Sequence, residues 1–198
     1  AFVARVNYHG VKGLRVGASF YYNQTAKNGT KPWRNTGYKF PVTIVTGDLQ
    51  YKGFNNNLIV RGNAVYGNLG ASGALTTINN SSSAASGYPN TTVAQNAVSY
   101  GGEAGYNIGS FFHSKAPRIY PFIRYEYYNP MEKTEANTGL LADKRFQVSA
   151  VTAGLNYYAL PNLVIKADYT HRSIGGGKYN DENLVSVGIA YIGWFIKK

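Results

Sequence analysis

Eleven charged side chains recur at alternate positions within otherwise uncharged stretches of the chain. Seven are bases, Arg5, Arg15, Lys52, Arg61, Arg124, Lys166 and Arg172, and four are acids, Asp48, Glu103, Glu126 and Asp168. Fixed charge spread over many short stretches acts on mobile ions through its field, and an excess of bases draws anions. Residues for covalent or acid–base chemistry are scarce. The chain has no Cys, so it has no thiolate nucleophile, disulfide framework or Cys-based metal site. His9, His113 and His171 are its only histidines, and no two stand at metal-ligand spacing. His171, with Asp168 and Arg172 close by and Asp181 beyond, is the one place where a His–acid pair could form. An ordinary solvent-facing histidine is the commoner reading of it. Gly175, Gly176 and Gly177 lack the strand–turn–helix setting of a phosphate-binding loop. No metal site and no cofactor is implied.

The length, 198 residues, suits one domain or one sizeable piece of a larger one. Charged residues make up only 15% of it, against a usual quarter, while Tyr reaches 18 and Gly 23. The net charge of +11 suits an anionic partner. Nucleic acid is disfavoured, because the bases are spread over the whole chain and interleaved with acids instead of lining one groove. No apolar run approaches the roughly 20 residues of a spanning helix, which leaves strand-built membrane proteins open. There is no signal peptide and no initiator Met, so residue 1 is expected to begin a mature form or a fragment.

The charged set is positioned by strands. Period-two alternation predicts nine, over 2–9, 14–22, 44–52, 58–67, 98–108, 119–128, 146–158, 163–172 and 184–195. In the tidy strands, one phase carries the charges and the other carries Leu, Val, Ile, Ala, Gly, Phe and Tyr. Pro121 predicts a bulge or weak point early in the sixth. Phe146 and Val148 are out of phase with Val151, Ala153, Leu155 and Tyr157, which predicts a bulge near Ser149 and Ala150. The connections are expected to alternate short and long without exception, with long ones at 23–41, 68–97, 129–145 and 173–183. The third of these long loops is charged. The centre of the second, INNSSSAASGYPNTT, is polar and low in complexity, and reads as a mobile surface loop with nothing to bury.

Charge sorted to one face is what a lipid-facing surface requires, since Arg or Lys on the lipid side costs about 2–4 kcal/mol at the midplane. Periodicity does not say which face is inside. The tyrosines do: Tyr8, Tyr22, Tyr51, Tyr66, Tyr106, Tyr127 and Tyr157 lie on the apolar phase near strand ends, where a wet hydroxyl and a buried ring are both satisfied. The expected fold is all-β, a transmembrane antiparallel up-and-down β-barrel.

The final stretch, LVSVGIAYIGWF over 184–195, is aromatic-rich and amphipathic and resembles the closing strand of bacterial outer-membrane barrels. It departs from that pattern in the three residues after Phe195. As a run of hairpins the whole chain resembles a Gram-negative outer-membrane porin, closest in texture to the phosphate-selective porin-like group. The resemblance implies a channel for passive, anion-preferring diffusion of small solutes in the bacterial outer membrane. The eleven charges named above would line its pore. Its partners would be outer-membrane lipid, lipopolysaccharide and small anionic or polar solutes, with monomer and homo-oligomer both open. It also implies a last strand ending in the periplasm. The first of nine would then run inward as well, so an even-stranded barrel would need at least one strand before Ala1, with residues 1–198 as the C-terminal part of a single barrel domain. Two other readings remain: a binding or adhesion barrel, or an accessory subunit of a surface complex, acting through long loops such as 68–97; and a rim enzyme at His171.

Overall fold

The computed structural model describes residues 1–25, 37, 39–81, 92–112 and 117–191. Nine strands follow one another: β1 Phe2–Tyr8, β2 Leu14–Gln24, β3 Pro41–Gly53, β4 Leu58–Leu69, β5 Asn96–Tyr106, β6 Arg118–Lys133, β7 Val148–Leu160, β8 Leu163–Ile174 and β9 Asp181–Tyr191. Among the described residues one α-helix, α1, spans Ser72–Ser81, and single 3-10 turns cover Ile108–Phe111 and Lys144–Phe146. Every strand pairs antiparallel with its neighbours in sequence, in the order β1 to β9. This is the expected up-and-down sheet. It is not closed: β1 and β9 are its two edges.

The ladder joins like phases across all nine strands. Ala18 faces Gly47, Gly47 faces Ala64 and Ala64 faces Tyr100 on one side, while Arg61 faces Glu103 and Glu103 faces Arg124 on the other. A slip of one residue at any pair would mix the two faces. Among the described residues nothing packs on the apolar face. Val6 is 72% exposed, Ile123 59% and Val187 76%, and among the described residues only Phe40, Tyr120 and Val148 are buried hydrophobics. Tyr120 and Val148 belong to the charged phase. The sheet therefore holds together by backbone pairing and by its polar side, with an uncovered apolar surface.

Several turns depart from the sequence reading. The strict alternation of loop lengths fails: residues 175–180 between β8 and β9 are fewer than residues 107–117 between β5 and β6. The ladder there continues outward because Arg172 pairs with Glu182 and Ser173 with Asp181. The expected bulge at Ser149 and Ala150 is absent. Val148 continues the register between Tyr128 and Ile174, and Phe146 leaves the strand in a 3-10 turn. Pro121 causes no bulge either. It pairs in register with Leu155, and the ladder to β5 ends beside it at Gly105 and Phe122. β6 also runs to Lys133, into the stretch expected to be a charged loop.

The stretch 68–97 holds a helix that runs into the start of its low-complexity centre. Within it α1 has Ser72 and Thr76 buried; Thr76 donates to the Ser72 carbonyl (3.0 Å) and accepts from the Val93 N–H (2.9 Å). The Gly73 N–H donates to the Glu135 carboxylate at 2.5 Å, fastening α1 to the loop after β6. A carboxylate at a helix N-terminus meets free N–H groups and the positive end of the dipole. Residues 82–91 of this stretch lie outside the described residues, as do Trp33, His113, Trp194 and Phe195.

Tight reversals need left-handed backbone. Phe54, Asn55 and Asn56 all have positive φ between β3 and β4, and Gly13 takes φ +80° beside the Lys52 carbonyl. A Cβ at Gly13 would collide with that carbonyl, whereas one at Gly47 would meet nothing within 4 Å. Gly13→Val is expected to lower stability by about 1–3 kcal/mol and Gly47→Ala to leave it unchanged or slightly raised, measured by urea unfolding.

Candidate functional site

The charged phase is the concave side of the sheet. One cavity of about 410 Å³ is lined by Ile59 and Arg61 of β4 and by Ala190 of β9, with residues of β5 to β8 between. In a flat sheet those two strands would stand roughly 24 Å apart. A cavity of this size touches both because the sheet curls, with the charges inside the curl. A second cavity, of about 370 Å³, is lined by Arg15, Asp48, Arg61, Asn63, Glu103 and Arg124.

The structure gathers most of the expected residues into two clusters, each built on a carboxylate shared by two arginines. Asp48 on β3 takes Arg5 of β1 at 2.7 Å and Arg15 of β2 at 3.6 Å. Glu103 on β5 takes Arg61 of β4 at 3.2 Å and Arg124 of β6 at 2.5 Å. Glu126 lies 3.9 Å from the far side of Arg124. Lys52, Lys166 and Asp168 make no ion pair among the described residues. Exposure is unequal within the clusters. The Asp48 and Glu103 side chains are 24% and 17% exposed, against 42% and 50% for Arg5 and Arg15 and 57% and 41% for Arg61 and Arg124. The carboxylates sit low and the guanidiniums stand over them.

Glycine makes the first cluster geometrically feasible. Arg5 and Asp48 lie on β1 and β3, with β2 between. Arg5 crosses over Gly17, where a Cβ would meet its Nη2, the Asp48 carboxylate and the Asn7 carboxamide. The same device recurs at Gly154, over which the Phe122 ring lies. Neutral hydroxyl pairs, Ser19 with Thr46 and Thr152 with Thr170, fill positions between the charges.

Two members of the concave set were missed by the sequence reading. Glu182 pairs with Arg172 at 3.0 Å, and Arg118 stands 4.7 Å over the Tyr158 ring. The signal for Glu182 was present, since the phase of Ser186 carried back two and four residues reaches Leu184 and Glu182. Arg118 shares the phase of Tyr120 one residue before the expected strand start. His171 lies on the opposite, apolar phase from Asp168. Its Nδ1 meets the Asn183 carboxamide at 3.0 Å, and Asn183 also accepts from the Tyr169 hydroxyl. The His–acid pair expected there does not form among the described residues, since the partner of the ring is this carboxamide and not Asp168 or Asp181. Among the described residues no group of His, Asp and Glu is placed to hold a metal ion. Outside the strands, Asp143 accepts from the Arg145 guanidinium (2.6 Å) and backbone N–H (2.9 Å), and these bonds hold its carboxyl below the usual range.

On the convex face nine tyrosines form two rows, with Tyr100 and Tyr125 beside Tyr127 of the second. At the short-turn end stand Tyr8, Tyr51, Tyr106, Tyr157 and Tyr191, one on each odd-numbered strand. Toward the other end stand Tyr22, Tyr66, Tyr127 and Tyr169, one on each even-numbered strand, and each hydroxyl has a polar partner: Gln24, Asn96, Glu132 and Asn183. No protein-family model and no curated protein matches this sequence. The functional reading therefore rests on the residues themselves.

If Gly17 is vacant so that Arg5 can cross, filling it displaces Arg5 and leaves the backbone ladder intact, since the colliding atoms are the tips of flexible side chains. A double-mutant cycle on Arg5→Ala and Asp48→Ala is expected to give a coupling of about 0.2–1 kcal/mol, and near zero in a Gly17→Val background.

Proposed function

We propose that the sheet is part of the wall of a transmembrane β-barrel and that the protein is a porin for passive diffusion of small solutes, with a preference for anions, in a bacterial outer membrane. The observation that carries this reading is the contrast between the faces. The convex face carries no charged residue through the middle of any strand, stays uncovered, and is bounded by two tyrosine rows. A surface of this area exposed to water would be an aggregation liability. Against lipid it is at its lowest free energy, with tyrosine rings at the two interfaces. In β3 the apolar positions run from Thr43 to Tyr51, about 27 Å of strand, or about 20 Å of height at the usual tilt. The two free edges are where further strands would continue the wall.

Anion preference follows from the arrangement of charge. Among the described residues the concave set comprises eight bases, Arg5, Arg15, Lys52, Arg61, Arg118, Arg124, Lys166 and Arg172, and five acids, Asp48, Glu103, Glu126, Asp168 and Glu182. The excess is three positive charges. The two most central carboxylates lie beneath arginines, so a passing ion meets guanidinium first. A surface-binding barrel is the second reading, favoured by the bond between α1 and Glu135 that fastens two long connections into one platform.

Two measurements test the porin reading. In planar bilayers under a salt gradient the channel should pass chloride faster than potassium. Changing Arg61, Arg124 and Lys166 together to Gln leaves five bases against five acids and should move the reversal potential toward zero. Both effects should fade at 1 M salt, where screening shortens to about 3 Å. A cation-selective wild type, or an unmoved potential, would remove these residues from the conducting path; silent bilayers with a tight ligand for the loops would favour the second reading. Separately, Ala153→Arg, midway between the tyrosine rows on β7, should cost about 2–4 kcal/mol or block assembly, while Asn63→Arg on the concave face should be tolerated. Equal effects would mean that lipid does not meet the convex face.

A further inference from the structure

The cavity at the short-turn end of the concave face differs from the rest of it. Its walls combine aromatic rings with one cation that has no ion pair among the described residues. Tyr120, Phe122 and Tyr158 supply the rings, and Lys166 and Asn156 stand between them on neighbouring strands. Arg61 and Glu103 form the far wall and are paired with each other. Its volume of about 410 Å³ lies in the range of small-molecule sites.

The walls are fixed before any ligand arrives. Tyr120 is buried and donates its hydroxyl to the Asn56 carbonyl at 2.9 Å. Its ring meets Tyr158 edge-on at 5.8 Å, and Tyr158 is held in turn beneath Arg118 at 4.7 Å. Phe122 lies across Gly154, with Arg124 5.7 Å from its centroid. On β9 the residue opposite Lys166 is Gly188, where even a Cβ would find open space. Room is thus left beside the ammonium.

The charge count selects the ligand. Arg61 and Arg124 share Glu103, and Arg118 is engaged with Tyr158. Lys166 has no ion pair among the described residues; Asp168, two residues along on the same phase, does not reach it. One free cation beside a carboxamide donor suits a monoanion, and a multiply charged oxyanion would want more. The flat apolar walls suit a ring. We propose that this cavity binds a small aromatic monocarboxylate, with Lys166 and Asn156 taking the carboxylate and Phe122, Tyr120 and Tyr158 enclosing the ring. This deepens the porin reading and rests on it for its biological sense, because an aromatic acid would be a solute held on its way through.

The test is binding to the folded full chain in detergent, by calorimetry, with benzoate, cyclohexanecarboxylate, acetate and inorganic phosphate as probes. Benzoate should bind more tightly than the other three. Lys166→Gln should weaken benzoate by about ten-fold, Lys166→Arg should restore most of the loss, and Phe122→Leu should weaken benzoate while leaving acetate unchanged. Lys178→Gln, which alters a cation beside the Tyr179 ring in a loop, should change nothing. Acetate or phosphate binding as tightly as benzoate, or Lys166→Gln binding like wild type, would overturn the proposal. Conductance is read independently. Channels that conduct but ignore benzoate defeat this inference alone, and a protein that binds benzoate without conducting defeats the porin reading alone.

Discussion

The structure depends on a constraint of register. Nine strands hydrogen-bond in sequence order, and at each interface the pairing sets apolar opposite apolar and polar opposite polar. Backbone hydrogen bonding alone does not choose that register, because a strand slipped by one residue keeps most of its ladder. Side chains choose it. A slip between β4 and β5 would put Arg61 level with an apolar-phase neighbour and turn Glu103 outward. The correct register is the one that keeps the mid-strand charges on the concave side and brings Asp48 and Glu103 to their arginines. Among the described residues no second layer packs on the convex face, so the usual arbiter of register, a buried core, is missing; under the porin reading, lipid on that side would take its place.

Curvature and glycine then turn a list of charges into clusters. Residues of one phase on adjacent strands lie close, but Arg5 and Asp48 have a whole strand between them. Gly17 leaves that intervening position empty and lets the guanidinium pass. Phe122 uses Gly154 in the same way. Each of these glycines lies on the concave side, where curling crowds side chains together, whereas Gly47 on the convex side has empty space above it. Glycine in a strand costs conformational entropy and leaves nothing to pack. At Gly17 that cost is offset by an ion pair that no larger residue would allow.

The strands, their order and the two faces were legible in the sequence because period two is strong wherever charge is confined to one phase. What failed was whatever depended on tertiary context. Phe146 and Val148 read as out of phase only on the assumption that the strand began at 146 and that apolar meant convex. Val148 is instead a concave residue buried between Tyr128 and Ile174, which periodicity cannot reveal. The helix in 68–97 was hidden because its buried residues, Ser72 and Thr76, are polar, and because its N-terminus is held by Glu135 from a distant loop. In the charged site the membership was readable and the partnerships were not. Sequence gives Arg5, Arg15 and Asp48 one phase, but the sharing of one carboxylate by two arginines across three strands comes from the curl.

That sharing bears on what the concave face does to an ion. Paired charges on a wall are often read as neutral, and at long range they are. Close to the wall the order of depth matters, because the field a solute meets is set by the nearest groups. At Asp48 and Glu103 the acids are the less exposed partners, so the near field is that of the arginines. The charged band is also flanked. Toward the long loops the concave face turns apolar, with Ile44, Val65, Ala97, Tyr128 and Pro130 around one hollow, and toward the short turns it turns aromatic. If this face lines a channel, an inorganic anion would be drawn by the charged band and by Lys166 and would gain nothing from the apolar hollow or the rings. An anion with an apolar body would gain at all three levels, first by burial, then by charge, then by both together where Lys166 stands among the rings.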